Sequence, residues 1–340
     1  MKIIFCRHHS ICEPGILKSL TRLGHKVVEF MHDREPQDYD KDYLLRLATL
    51  LQQTPDAAAV LSVCFSPIIA RASKPFGIPY ISYTVDSPCS TLYSKTMEYP
   101  HNRLFLFDKQ QLDKFGHRNP GNCFHTLLAC DIEHFDNVTV SDTDMKKYGT
   151  DVSFVGSLYS EKNSYDDIAD KLPAYMRGYV EGLCSAQKNV YGYNFIEDAL
   201  TDEWVSDFVS TVGFDPLPAD YETDLKGIIA DTYLNCRCTE LERKHTLDAV
   251  SRHFHVDLYT QSDSSMLPRV KNRGIADSER VMPKIFKCSK INLNITLRSI
   301  KSGVPQRALD IMGCGGFLMS NYQPELAEYF IPGEDLVLYD

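Results

Sequence analysis

Short apolar runs alternate with amphipathic helical stretches along this chain, and no other property of the sequence restricts its fold so tightly. Lys2–Phe5 has the composition of a buried strand. Pro14–Leu23 follows, with Ile16, Leu17, Leu20 and Leu23 on one helical face and Gly24 ending it. Lys26–Phe30 is the next strand, so the unit closes within a βαβ crossover of about 30 residues. A helix over Asp42–Gln53, a strand over Ala57–Ser62, a short helix over Ser66–Ser73 and strands over Pro79–Thr84, Leu104–Phe107 and Cys123–Leu127 continue the rhythm. Strands separated by helices pair in parallel, because a parallel neighbour needs a crossover. The pattern restarts at Asp151–Val155 and returns at Val256–Thr260, Ile291–Ile295, Ala308–Cys314 and Phe317–Ser320. Residues from about 160 to 250 read as mostly helical and hold the single tryptophan, Trp204. We therefore expect an α/β protein with two Rossmann-like doubly wound domains, 1–150 and 151–340, the second with a helical insertion over about 160–250.

The formal charge of −10, without any long Lys/Arg block, argues against nucleic acid or an anionic membrane as a partner. No apolar run reaches the roughly 18–20 residues of a membrane span. The N-terminus turns polar at Arg7, too soon for a signal peptide. The eleven cysteines show no paired zinc spacing and read as reduced thiols, which suggests a cytoplasmic protein. The triplets Asp38-Tyr39-Asp40 and Asp142-Thr143-Asp144 are expected by chance in so acidic a chain, and no metal role is assigned to them. His253 and His255 flank Phe254 at a strand entry, with no evident third ligand.

The segment Ser302 to Ser320 carries the most chemistry. Gly303 permits a tight turn, and Pro305 suits a helix first turn, where its missing N–H costs nothing. The helix runs to about Met312, and Gly313, Gly315 and Gly316 let the next strand pack closely. A turn of this kind before a helix presents free amides and the positive end of the helix dipole, which together suit phosphate. Gly303 and Val304 would form the cradle, and Arg307 would add a charge-assisted contact. Asp310 shares Arg307's face and could accept hydrogen bonds from ribose hydroxyls. The alternative is a capped helix with an Arg307–Asp310 surface pair.

From Pro305 to Phe317 the sequence resembles the C-terminal donor-binding signature of GT-B glycosyltransferases, above all the CgeB-like spore-maturation proteins of bacteria. The stretches Asn321-Tyr322-Gln323-Pro324-Glu325-Leu326 and Phe330-Ile331-Pro332-Gly333-Glu334-Asp335 are similar to that family as well. So are Ile81–Pro88 with its Asp86-Ser87-Pro88, Leu106–Lys109, and Asp151–Tyr159, so the resemblance spans nearly the whole chain. It implies two Rossmann-like domains with a nucleotide-sugar site between them. It also implies a UDP- or GDP-sugar donor, an acceptor of unspecified kind, no obligatory metal or other cofactor, and a hexosyl transfer of retaining type. Asp310 takes the place of the family's ribose-contacting acid. The family's first acidic position falls at Ser302, a departure. Lys162, after Val155-Gly156-Ser157, sits where a diphosphate-binding lysine stands, while Ser157 replaces the usual arginine. GT-B chains usually continue with helices that cross back to the first domain; here the sequence stops just after the strand-like Leu336–Tyr339, as a shortened or a naturally short member would.

Further candidates come from position. Asp86 follows a strand at its carboxyl end, either as a helix cap or as a cleft base near the acceptor. His8 follows the first strand and could line the same cleft. Asn294 and Thr296 lie on the polar side of a strand and could reach the nucleotide or face solvent, and Arg298 could add positive potential. Tyr175, Tyr179 and Leu183 form a stripe read as helix packing. Two other readings of the scaffold are a nucleotide-sugar or glycan binder without catalysis, and a sugar epimerase.

Overall fold

The apolar runs pair in parallel throughout, in two six-stranded sheets. The computed structural model describes residues 1–32, 38–162, 164–213, 218, 220–221 and 224–340. Residues 163, 214–217, 219, 222 and 223, within the expected helical insertion, lie outside that set. Contacts divide the chain into Met1–Leu127 with Pro216–Asp224, and Leu128–Asp215 with Leu225–Asp340.

The first unit holds β1 (Lys2–Arg7), α1 (Glu13–Arg22), β2 (Lys26–Met31), α2 (Lys41–Gln53), β3 (Ala57–Val63), α3 (Pro67–Ser73), β4 (Tyr80–Thr84), β5 (Asn102–Leu106), α4 (Lys109–Phe115) and β6 (Cys123–His125). The strand order is β2-β1-β3-β4-β5-β6. Ile16, Leu17 and Leu20 of α1 pack on Ile3, Phe5, Leu61 and Val63. On α2, Tyr43, Leu47 and Leu51 form the buried stripe, and Asp40 caps the helix by accepting from the Tyr43 amide at 3.0 Å.

The second unit holds α5 (Ile132–Asn137), α6 (Asp142–Tyr148), β7 (Val152–Val155), α7 (Asp166–Ala169), α8 (Ala174–Gln187), α9 (Ile196–Ala199), α10 (Asp202–Val212), α11 (Leu225–Ile229), α12 (Asn235–Ser251), β8 (Val256–Tyr259), β9 (Lys271–Asn272), α13 (Met282–Cys288), β10 (Ile291–Asn294), α14 (Gln306–Gly313), β11 (Leu318–Asn321), α15 (Pro324–Tyr329) and β12 (Val337–Tyr339). The order is β12-β11-β10-β7-β8-β9, the doubly wound Rossmann order. Leu247 of α12 joins Phe154, Leu258 and Leu293 on one face, while α13 packs on β7 and α14 on β10 and β11.

Several expectations shift. The sequence pattern breaks at residue 150, but the units divide at 127. Lys287 ties α5 in, donating to the carbonyls of Phe135 at 2.7 Å and Val138 at 2.8 Å, and Lys284 holds Asp144 of α6 at 3.0 Å. The insertion also ends sooner than residue 250, because α12 is the crossover that covers the sheet. The remaining helices bury Met176, Val180, Cys184, Trp204, Phe208 and Leu234 in a core of their own. On α8 the buried face is therefore Met176-Val180-Cys184, one residue round from the tyrosine stripe; Tyr175 and Tyr179 are exposed. The acidic triplets serve as caps: Asp40 on α2, and Asp144 in a reciprocal capping box with Ser141 on α6. Among the described residues no cluster of three His, Cys, Asp or Glu side chains could hold a metal, and no helix is long and apolar enough to cross a membrane.

The alternation on β10 does not leave a solvated face. Asn292, Asn294 and Thr296 are all buried, since both faces of a central parallel strand are covered. Their polar groups are paired inside: Asn292 accepts from the Ser153 hydroxyl at 2.7 Å, and the Asn294 amide donates to the hydroxyls of Ser320 at 2.9 Å and Thr296 at 3.0 Å.

Candidate functional site

In a doubly wound sheet, ligands bind outside the carboxyl ends of the strands where the winding reverses. In the second unit the chain proceeds from β7 to β8 and β9 on one side, then to β10, β11 and β12 on the other. The reversal lies between β7 and β10. The loop from Gly156 to Lys162 leaves β7, and residues 295–305 leave β10 for the start of α14. Arg243 of α12 ties the two loops together. Its Nη1 donates to the Ser157 carbonyl at 2.5 Å, and its Nη2 and Nε donate to the Ile295 carbonyl at 2.5 and 3.1 Å. The guanidinium also lies over the Tyr159 ring, 4.8 Å from its centroid.

Pro305 is the N-cap of α14 rather than its first helical residue, with φ −70° and ψ 147°. The Ala308 amide bonds back to the Pro305 carbonyl at 3.0 Å, and the Gln306 and Arg307 amides take no acceptor among the described residues. Two N–H groups and the helix dipole are therefore available to an anion. Ser302, Gly303, Val304 and Pro305 are themselves buried. The turn is fastened to α15: the Ser302 hydroxyl donates to Glu325 Oε1 at 2.8 Å, and the Glu325 amide donates to the Ser302 carbonyl at 3.1 Å.

Arg307 runs along its own helix instead of over the turn. It pairs with Asp310 at 3.3 Å, touches Met282 Sδ and lies on the face of Phe286. Gln306 Nε2 donates to the other Asp310 oxygen at 2.9 Å and to the Ala129 carbonyl at 3.0 Å. Burial pushes the Asp310 carboxyl up, and the Arg307 charge and the Gln306 hydrogen bond hold it down. Burial pulls the Arg243 guanidinium down, and the Arg307 charge adds to that. The two arginines thus share one electrostatic neighbourhood. After α14, Gly315 turns at φ +72°, and Gly316 lets β11 approach; a Cβ there would stand 2.8 Å from Asn292 Nδ2 and 2.9 Å from the Phe286 carbonyl oxygen.

Residues 243–340 match the glycosyl transferase-like family. The solved structures add the fold: sucrose-phosphate synthase from Thermosynechococcus elongatus is 10% identical, with TM-score 0.51, covering 99% of this chain and 85% of that one. A glycosyltransferase from Rickettsia africae is 10% identical, with TM-score 0.50, covering 99% and 83%. Anabaena HepE in complex with UDP and glucose is 11% identical, with TM-score 0.48, covering 99% and 85%. The fold is of the GT-B glycosyltransferase type. No curated protein matches the sequence.

Within the glycosyl transferase-like segment, Arg298 is committed to structure. It is buried, pairs with Glu242 at 2.6 Å, and donates to the carbonyls of Val190 at 2.7 Å and Lys188 at 3.0 Å. Ahead of that segment, the Gly156 amide donates to the Tyr259 carbonyl at 3.1 Å, and Lys162 is exposed with its Nζ 5.8 Å from the Tyr159 ring centroid. Sequence reasoning missed Arg243, Glu242 and Glu325. The run Glu240-Leu241-Glu242-Arg243-Lys244 reads as a solvated face, yet Leu247 lies one turn from Arg243 and marks that side as buried. At the opposite, amino end of the same sheet, a cavity of about 460 Å³ is lined by Arg269, Lys271, Arg273 and Lys290 together with Asp151 and Asp257. There Arg273 pairs with Asp257 and Lys290 with Asp151, each at 2.8 Å.

In the first unit, His8 and Asp86 stand at the carboxyl edge of the sheet, after β1 and β4. The His8 amide donates to Glu13 Oε1 at 2.8 Å, and Glu13 is fully buried and paired with Arg7 at 3.1 Å. Asp86 is exposed and opens no helix, so the capping alternative does not hold. Its Oδ2 accepts from the Cys64 thiol at 3.3 Å, and its carbonyl accepts from Gln111 Nε2 at 3.3 Å.

Proposed function

We propose that this protein is a glycosyltransferase whose second unit binds a nucleoside-diphosphate sugar, UDP- or GDP-linked, at the reversal between β7 and β10. The observation that carries this reading is the pair of unclaimed amides, Gln306 and Arg307, opening a helix at that point. Breaking the sugar–diphosphate bond places charge on the leaving phosphate, and preorganised N–H donors stabilise it without a metal. Arg307 would turn from Asp310 to the diphosphate, and Lys162 would reach it from the loop after β7. Gly303 and Val304 shape the turn that carries the amides. Asn294 and Arg298 hold the strand and loop beneath. Asp310, set on the ribose by the resemblance, would have to share oxygens already used by Gln306 and Arg307. The match to a glycosyl transferase-like family supports the transferase reading; a CgeB-like, retaining enzyme is its finer form.

A thermal-shift panel of nucleotides tests the binding step. UDP or GDP at a hundredfold excess over Kd should stabilise the protein by about 2.7 kcal/mol. Arg307→Ala should abolish that shift, and an unchanged shift in the variant would take Arg307 out of the site. Ser302, where the family has an acid, favours the binding-only reading, which gains if UDP binds tightly and no donor is hydrolysed or transferred.

On the first unit we place the general base at Asp86, with His8 on the same sheet edge lining the acceptor side. Asp86→Asn should lower turnover by about 10²–10⁴-fold and leave UDP affinity unchanged. Full turnover in that variant would move the base elsewhere.

A further inference from the structure

The carboxyl edge of the first sheet also brings two thiols together. Cys64 follows β3 with φ +58°, a left-handed conformation, and its amide bonds to the Tyr83 carbonyl at 2.8 Å. Cys89 follows β4 in the turn that begins at Asp86. Thr91 fastens that turn to the exit of β3, its hydroxyl donating to the Phe65 carbonyl at 2.6 Å. The Cys64 thiol reaches both Asp86 and the Cys89 sulfur. The Cys89 sulfur also meets the Thr91 hydroxyl at 3.2 Å and the Phe65 amide. All eleven cysteines are free.

We propose that Cys64 and Cys89 form a redox site, a dithiol that closes to a disulfide on reaction with a hydroperoxide. Cys89 is the nucleophile. The Cys64 thiol and the Phe65 amide face its sulfur, and the Cys64 hydrogen bond, the largest effect, holds the Cys89 thiol below its ordinary value. Cys64 is pushed up in turn, because it supplies that hydrogen. The Cys89 thiolate attacks one peroxide oxygen, the O–O bond breaks, and the departing hydroxide takes a proton to leave as water. The resulting sulfenic acid is attacked by the Cys64 sulfur; the S–O bond breaks, and the hydroxyl leaves with the Cys64 proton as a second water. Two thiols are oxidised, and one hydrogen peroxide is reduced to two waters. Cys64 is partly exposed and Cys89 lies buried beside it, so the peroxide's way in is past Cys64. The other close pair, Cys184 and Cys238, lies fully buried in the apolar core of the helical region, where the Cys238 hydrogen bond and burial push the Cys184 thiol up. That pair should be inert. Closing the disulfide also removes the one Cys64 hydrogen, for which Asp86 and the Cys89 sulfur compete.

The test is peptide mapping of the native full-length chain after treatment with about one equivalent of hydrogen peroxide, followed by alkylation in denaturant. A Cys64–Cys89 linked peptide should form before the other cysteines lose their thiols, and dithiothreitol should reopen it. If both residues are alkylated while other cysteines have oxidised, the proposal is overturned. With dimedone present, Cys64→Ser should accumulate a trapped sulfenic acid at Cys89, and Cys89→Ser should give none at Cys64. The reverse labelling would overturn the assignment of the nucleophile.

Discussion

Replacing Arg298 with Met should cost about 3–5 kcal/mol of stability, read as a lower urea midpoint at neutral pH. Arg298 and Glu242 are both nearly inaccessible and meet at 2.6 Å. The other Glu242 oxygen has no hydrogen-bond partner among the described residues. Burial pushes the Glu242 carboxyl up, and Arg298 holds it down. Without the guanidinium, the buried carboxylate keeps only the weaker help of Tyr191 and Arg243. The Lys188 carbonyl also loses its donor, a loss of about 1–3 kcal/mol if it stays dry, while the Val190 carbonyl keeps Gln187 Nε2 at 3.1 Å. The variant should show a distinctive pH dependence. Its folded Glu242 binds a proton more tightly than the unfolded chain does, so the protonated form is the stable one. The deficit should therefore shrink as pH falls toward the ordinary Glu value of 4.5 and grow as pH rises. Glu242→Leu combined with Arg298→Met should recover much of the loss, since neither member of the pair is then left buried without the other. A deficit independent of pH would mean that Glu242 is not the residue stranded.

Gln306→Pro should weaken UDP binding by about 10- to 100-fold, while Gln306→Ala should change it far less. Proline at the first helical position loses no intrahelical bond, and Pro305 already has the extended backbone that a residue before proline prefers. The substitution therefore deletes one N–H from the mouth of α14 and leaves the helix in place. Both variants lose the side-chain bonds to Asp310 and Ala129. Only the proline variant loses the amide. A hydrogen bond to a charged acceptor contributes about 1.5–3 kcal/mol, which sets the expected ratio. Equal affinities in the two variants would show that the amide donates to nothing on the ligand.

The layered fold was legible in the sequence because parallel strands buried on both faces are near-continuous apolar runs, as Ala57–Val63 and Val152–Val155 are, each broken by a single serine. The helix opening near Pro305 was legible for a similar reason: proline and glycine restrict the backbone locally. What stayed hidden depends on tertiary burial. Arg298 and Asn294 carry polar groups that read as ligand contacts, and nothing local says that Glu242 and Ser320 will claim them. Arg243 reads as one charge among several on a helix, and only the fold carries it to the carbonyls of Ser157 and Ile295. The Tyr175–Tyr179 stripe misled because the same helix offers two apolar faces one residue apart, and the partners of α8 choose Met176, Val180 and Cys184.

A crystal structure of the protein with UDP tests the central claim most directly. A diphosphate oxygen should lie about 3 Å from the amide nitrogens of Gln306 and Arg307, beside the loop that leaves β7. UDP seated instead among Arg269, Lys271, Arg273 and Lys290, at the amino end of the sheet, would contradict the account.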